Sequence, residues 1–164
     1  MQISVGGYQK GHTSDPNTAK SRSAYHIMYN GCLIYWSSKL QTEVALSTTE
    51  AEYICLSQSL RTTISLMRLF RELEKKIAGF KTPKPLVRCT AFEDNSGAIE
   101  LAKAPKLRPR TKHVNIKYHH FRDAVDKGDI KIKKIDTKEQ LADIGTKTLS
   151  AKPFKKLRRR LMGW

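Results

Sequence analysis

No acidic residue occurs between Met1 and Ser14, and acids are scarce throughout: 15 Asp and Glu stand against 31 Lys and Arg. The formal charge of +16, with an isoelectric point near 9.9, gives the chain a field that concentrates polyanions. Nucleic acid is the expected partner. An anionic membrane is a weaker candidate, because no amphipathic anchor stands out. Long hydrophobic runs are also missing. Ile64 to Phe70 is broken by Ser65 and Arg68, and no window approaches the roughly 20 apolar residues of a membrane span. Met1 to His12 contains no long apolar stretch, so a secretory signal is not expected. Cysteine is sparse and odd in number. Cys32, Cys55 and Cys89 are widely spaced in apolar surroundings, which favours buried reduced thiols and an intracellular compartment over disulfides or a metal cluster.

What is present is the pattern of one ordinary domain covering residues 1–164, long enough to bury a core. Tyr25 to Trp36 places two β-prone runs around Asn30-Gly31, a pair that tolerates positive φ at both positions and so marks a hairpin. Gln2 to Val5 is a short candidate strand ahead of a polar loop, and Thr42 to Leu46 reads as a continuation of the second hairpin strand. Thr49 opens a long helix carrying Ala51, Ile54, Cys55, Ile64, Met67, Phe70 and Ile77 near helical spacing; Gly79, Pro83 and Pro85 stop it. Leu86 to Phe92 reads as a buried strand, Ser96 to Lys103 as a short helix, and Val114 to Lys127 as another helix. Ile130 to Ile135 alternates as a half-buried strand. Helices are expected over Lys138 to Lys147 and, very basic, over about 152–161. A hairpin followed by β-α units implies an α/β fold: a mixed sheet with helices on its faces.

Acids fall at three places where chemistry could use them. Glu93-Asp94 follows a strand, and ligands of α/β sheets gather beyond the carboxyl ends of strands. The structural alternative is that Asp94 or Asn95 caps the next helix. Glu52 lies near the start of the long helix, where Thr49-x-x-Glu52 also reads as a capping box. Asp143 lies on a late helix beside Leu141 and Ala142, or is simply solvated. Paired metal ions need carboxylates converging from different elements. Periodicity alone does not establish that convergence.

Four longer motifs carry more information: WSSKLQTEVALSTTEAEY (Trp36 to Tyr53), FEDNSGAIELAK (Phe92 to Lys103), RPRTKHVNIKYHHFRDAV (Arg108 to Val125) and DTKEQLADIGTK (Asp136 to Lys147). In this order they closely resemble the ribonuclease H region of copia-type LTR retrotransposon polyproteins, over about Asp15 to Trp164. The wording DPNTAKSRS and RPRTKH is similar to copia-like elements of algae and related protists. The resemblance implies a ribonuclease H-like fold, a five-stranded mixed sheet with flanking helices. It also implies hydrolysis of the RNA strand of RNA/DNA hybrids with two Mg²⁺. Its four carboxylates come from the first strand, the first long helix, the end of the fourth strand and a late helix. Glu52 matches the second, Asp94 the third and Asp143 the fourth, which makes these three the catalytic and metal-holding candidates. Glu50, the neighbouring motif acid, is expected to face away from Glu52.

The first carboxylate has no match. The family's Asp-x-Asp motif on the opening strand is replaced by QISVGGYQKGHTS, so that strand reads as degraded, with Gly6 or Gly7 in the aspartate's place. Asp15 belongs to a loop motif and is a poor substitute. Since even indirect losses cost roughly 10–100-fold at metal sites, weak Mg²⁺ binding and slow or absent cleavage are expected. Whether the chain is an enzyme is thus open. The second reading is a non-catalytic RNA-binding or structural module of a ribonucleoprotein, and an integrase-type core lacks its acid pattern. Candidate backbone contacts are Arg108, Arg110, Lys112, His113 and Lys117. On the last helix they are Lys155, Lys156, Arg158, Arg159 and Arg160, with Lys147 and Lys152 nearby. This last helix reads as better suited to polyphosphate contact than to self-packing, with an anionic partner ordering the basic ends. His113, His119 and His120 lack the spacing of a zinc site, and Trp36 and Tyr53 read as core or strand residues. Expected partners are an RNA/DNA hybrid or structured RNA, a larger ribonucleoprotein, or the reverse transcriptase part of a polyprotein. The expected setting is a cytoplasmic retroelement particle or the nucleus, with an organelle as a further option.

Overall fold

In the computed structural model, residues 1–8, 20–77, 87–104 and 120–164 are described. Asp15 and the basic segment Arg108, Arg110, Lys112, His113, Lys117 and His119 lie outside them, as do Gly79, Pro83 and Pro85. Among the described residues five strands and five helices follow in order: β1 (Gln2–Tyr8), β2 (Arg22–Tyr29), β3 (Cys32–Leu40), α1 (Thr48–Ile77), β4 (Cys89–Glu93), α2 (Ser96–Lys103), α3 (Arg122–Asp126), β5 (Ile130–Lys134), α4 (Asp143–Thr146) and α5 (Ala151–Met162). The sheet order is β3-β2-β1-β4-β5. β1 pairs antiparallel with β2 and parallel with β4, so the sheet is mixed as expected.

The hairpin turn has Asn30 at φ 52° and Gly31 at φ 82°, the backbone that the Asn-Gly pair tolerates. β1, which the sequence presented as short and degraded, is a full seven-residue strand at the centre of the sheet. Ile3 and Val5 are completely buried, and central pairing on both edges fixes a strand that propensity leaves undecided. Thr42 to Leu46 does not extend β3. The chain turns at Gln41, whose amide donates to the Ser21 carbonyl (2.7 Å) and whose side chain donates to Ser23 Oγ and the Ala51 carbonyl, both at 2.8 Å.

α1 covers one face of the sheet. Tyr53, Ile54, Leu56 and Leu60 pack with Ile3, Val5, Ile27 and Ala91 in the main core. Met28, one residue on from Ile27, points to the opposite face, where it joins Leu141, Leu157 and Leu161. That second cluster corrects the expectation for the basic tail. α5 does self-pack: Leu157 and Leu161 recur at i, i+4 and bury against the sheet, and Lys156 and Arg160 pair with Glu139. These contacts dock the helix on the sheet. The predicted helix over Lys138 to Lys147 is instead a 3₁₀ turn, Thr137–Glu139, and the short α4. Asp136 and Gln140 hold extended backbone on either side of the turn and interrupt the helical path.

Cysteine placement is mixed. Cys55 and Cys89 are buried thiols, but Cys32 is exposed at the start of edge strand β3. Tyr53 is fully buried, whereas Trp36 is 68% exposed on the same edge strand. No helix among the described residues is long and apolar enough to cross a membrane.

Candidate functional site

The carboxyl ends of β1 and β4 meet the start of α1 on one face of the sheet and α4 on the other. At α1 the alternative capping role falls to other residues. Ser47 Oγ accepts the Glu50 N–H at 3.1 Å, and Glu50 Oε2 accepts the Leu46 N–H at 2.8 Å. Capping thus runs through Ser47 and Glu50, not Thr49 and Glu52. Glu52 is released for the site, where it is buried and accepts the Gly7 N–H.

The same division of labour occurs after β4. Asn95 caps α2, its Oδ1 accepting the Ala98 N–H at 3.0 Å, so Asp94 is free of that task. Asp143 opens α4, is buried, and pairs with Lys147 one turn later at 2.9 Å. Burial raises its pKa, opposed by Lys147.

Glu93, named from the sequence beside Asp94 but without a role of its own, also enters the site. It continues the inward-facing series Cys89, Ala91, Glu93 of β4, and it is fully buried. An acid ending that series was the available signal, masked by the stronger motif match at Asp94. Among the described residues, one carboxylate oxygen each from Glu52, Glu93 and Asp94 lie within 4.8 Å of one another. Glu93 Oε1 accepts the Asn95 N–H at 3.0 Å, while its Oε2 has no hydrogen-bond partner. Burial pushes the Glu52 carboxyl up to about 8, opposed by the Gly7 N–H and reinforced by Asp94 and Asp143. Glu93 is pushed well above the usual range by burial and then by Glu52. The structure therefore brings Glu52 and Asp94 together, adds Glu93, and sets Asp143 beside them with its own lysine.

The glycines of β1 are not equivalent. A Cβ on Gly7 would lie 2.5 Å from the Ala51 carbonyl oxygen, so α1 crosses β1 there at backbone distance. A Cβ on Gly6 would face the other way, 3.0 Å from the Ala142 Cβ, beside Asp143. The parallel register pairs Ser4 with Phe92, and continuing it two residues brings Gly6 level with Asp94. Buried hard oxygen donors suit a small divalent cation such as Mg²⁺, and the unpartnered Glu93 Oε2 is a buried polar atom that a cation would satisfy. The donor set fits such an ion.

On α5, Arg158 lies over the Trp164 ring at 5.0 Å and is half-buried, whereas Lys155 and Arg159 are exposed. Of the five basic candidates on this helix, Lys156 and Arg160 are engaged with Glu139.

No protein-family model matches the chain. Curated relatives do. The Pol polyprotein of transposon TNT 1-94 from Nicotiana tabacum is 38% identical over 150 residues, covering 88% of this chain and 11% of the relative. Transposon RE1 of Arabidopsis thaliana gives 35% over 148 residues, covering 86% and 10%. The Gag-Pol polyprotein of transposon Ty1-JR1 from Saccharomyces cerevisiae gives 28% over 138 residues, covering 84% and 7%. The chain spans about a tenth of the length of these relatives. Among solved structures, the N-terminal RNase H domain of a Mycobacterium tuberculosis protein superposes with a TM-score of 0.57 at 10% identity, covering 96% of this chain and 95% of that one. RNase H1 of Halobacterium salinarum gives 0.58 at 12%, covering 88% and 92%. LC11-RNase H1, solved in complex with an RNA/DNA hybrid, gives 0.56 at 13%, also covering 88% and 92%. The chain thus has the ribonuclease H fold and is a homologue of a segment of the Pol polyproteins of copia-type retrotransposons.

Proposed function

We propose that this chain is a single ribonuclease H-like domain that binds RNA/DNA hybrid and whose strand-cleaving activity is impaired. The observation that carries the reading is the convergence of Glu52 and Asp94, with Asp143 beside them, at the end of a β1 that presents Gly6 and Gly7 instead of an acid. Glu52, Asp94 and Asp143 would hold Mg²⁺, which when bound supplies positive charge to the attacking and leaving oxygens of the phosphodiester. Asp94 offers the most exposed carboxylate of the set, and Asp143 is paired with Lys147. Gly7 fixes the Glu52 carboxylate through its N–H, which orients one oxygen and leaves the other for a ligand. With no β1 carboxylate, the acids flank the scissile phosphate incompletely, and proton and charge handling at the attacked bond suffer. A net charge of +16 supplies the attraction for hybrid backbone; Lys155 and Arg159 on α5, and the run Arg108, Arg110, Lys112, His113 and Lys117, are the proposed contacts.

The test is Mg²⁺-dependent cleavage of an RNA/DNA duplex, paired with a binding measurement on the same duplex. Salt-sensitive binding with cleavage at least 100-fold below an intact ribonuclease H is expected. Turnover equal to an intact enzyme and abolished by Asp94→Asn would overturn the impairment. Absence of hybrid binding at low salt would overturn the reading as a whole. The alternative, a non-catalytic RNA-binding subunit of a ribonucleoprotein, is favoured by the lack of any acid before Asp15. It predicts tighter binding to structured RNA than to hybrid, and no cleavage.

A further inference from the structure

From the position of Glu93 we infer that it is a cation ligand, joining Glu52 and Asp94 in a single-ion site set deeper than the four-carboxylate arrangement that the family motifs imply. None of the four motif carboxylates falls at Glu93. The inference rests on reading the acidic cleft as an ion site, and it adds a residue with a role of its own.

Three observations support it. Glu93 is completely buried at the end of a strand whose other inward residues, Cys89 and Ala91, are small or apolar. Packing alone gives no reason for an acid there. Its Oε1 is accounted for by the Asn95 N–H and Oε2 has no hydrogen-bond partner, and one oxygen of this carboxylate lies within 4.8 Å of a carboxylate oxygen of both Glu52 and Asp94. A second buried acid, Glu52, offers a carboxylate oxygen within 4.8 Å of it. A divalent ion between them would supply the missing partner.

Size agrees as well. Oxygens around a small hard cation at 2.0–2.1 Å stand roughly 3–4 Å apart. Ligand atoms within 4.8 Å need only side-chain adjustment to close on an ion. Asp94, only partly buried, leaves one side of the site open for entry. Because Gly6 contributes no carboxylate, an acid one residue before Asp94, reaching in from the α1 face, partly restores the count of oxygen donors.

The experiment titrates the full chain with Mn²⁺ alone and follows free ion by electron paramagnetic resonance, with thermal unfolding in parallel. Wild type, Glu93→Gln, Asp94→Asn and Asp143→Asn are compared, with Glu93→Ala as a second probe. Gln preserves shape and the acceptor for the Asn95 N–H, so a purely structural Glu93 predicts unchanged Mn²⁺ affinity. The inference predicts at least a tenfold loss in Glu93→Gln, comparable to Asp94→Asn, together with an unchanged or higher unfolding temperature without metal. Equal Mn²⁺ affinity in wild type and Glu93→Gln, with Asp94→Asn weakened, overturns the role of Glu93 and spares the proposed function. No Mn²⁺ binding by wild type, or binding indifferent to Asp94→Asn, overturns both.

Discussion

Restoring an acid to β1 is the most direct perturbation, and the two glycines give opposite expectations. Gly6→Asp adds a carboxylate level with Asp94 and beside Asp143, at the cost of a 3.0 Å approach to the Ala142 Cβ. Combining it with Ala142→Gly removes that contact. Without metal, the new charge meets its neighbours. Two unit charges roughly 5 Å apart at an effective dielectric constant near 20 repel by about 3 kcal/mol, so the double variant should unfold at markedly lower urea. Mg²⁺ should reverse this. Stabilisation grows by about 1.4 kcal/mol for each tenfold of free ion above the dissociation constant, and a tighter site enters that regime at lower concentration. Urea unfolding across a Mg²⁺ series, with hybrid cleavage on the same samples, reads both effects. Cleavage should rise at least 100-fold over the parent chain. Gly7→Asp is the contrasting variant. Its Cβ would strike the Ala51 backbone at 2.5 Å, an overlap that exceeds the usual overpacking cost of about 1–3 kcal/mol. If Gly6→Asp with Ala142→Gly gains neither Mg²⁺-dependent stability nor cleavage, the placement of the missing acid at Gly6 is refuted.

The raised pKa of Glu52, about 8, sets a pH dependence for the metal-free domain. A folded-state value above the unfolded one means that the stability it contributes is full below the unfolded value, near 4.5, and is lost as pH rises through about 8. Stability should fall by at most about 1.4 kcal/mol per pH unit across that window, and Glu52→Gln should flatten the slope in urea titrations at several pH values. A slope of opposite sign would refute the burial argument. Leu157→Ala should cost about 2–3 kcal/mol, because Leu157 is 2% exposed and joins Met28 and Leu141 in the second core; an unchanged urea midpoint would mean that α5 is not docked. Asn95→Ala removes the α2 cap beside Asp94 and should cost about 1 kcal/mol, with a parallel loss of Mn²⁺ affinity as the Asp94 backbone loosens. A loss of stability with full Mn²⁺ affinity would separate the cap from the site.

The sequence by itself determined the class of fold, the hairpin at Asn30-Gly31, α2 to its boundaries, and the alternating β5. It did so because those features are local: turn chemistry, caps and periodicity act over a few residues. Motif matching likewise singled out Glu52, Asp94 and Asp143, without showing that Glu52 and Asp94 approach each other with Asp143 in charge range. Only the tertiary structure decided which residues cap and which are free to act. Ser47 with Glu50 and Asn95 take the capping bonds that Glu52 and Asp94 could equally have made. Only the folded sheet made a central strand of Gln2–Tyr8, whose glycines carry no side-chain signal until a helix is laid across them. The same holds for Glu93 and for α5. A buried acid and a docked basic helix both depend on partners 40 to more than 100 residues away, Glu52 for one and Met28 for the other. Non-local burial has no period and no short motif, so only the assembled fold reveals it.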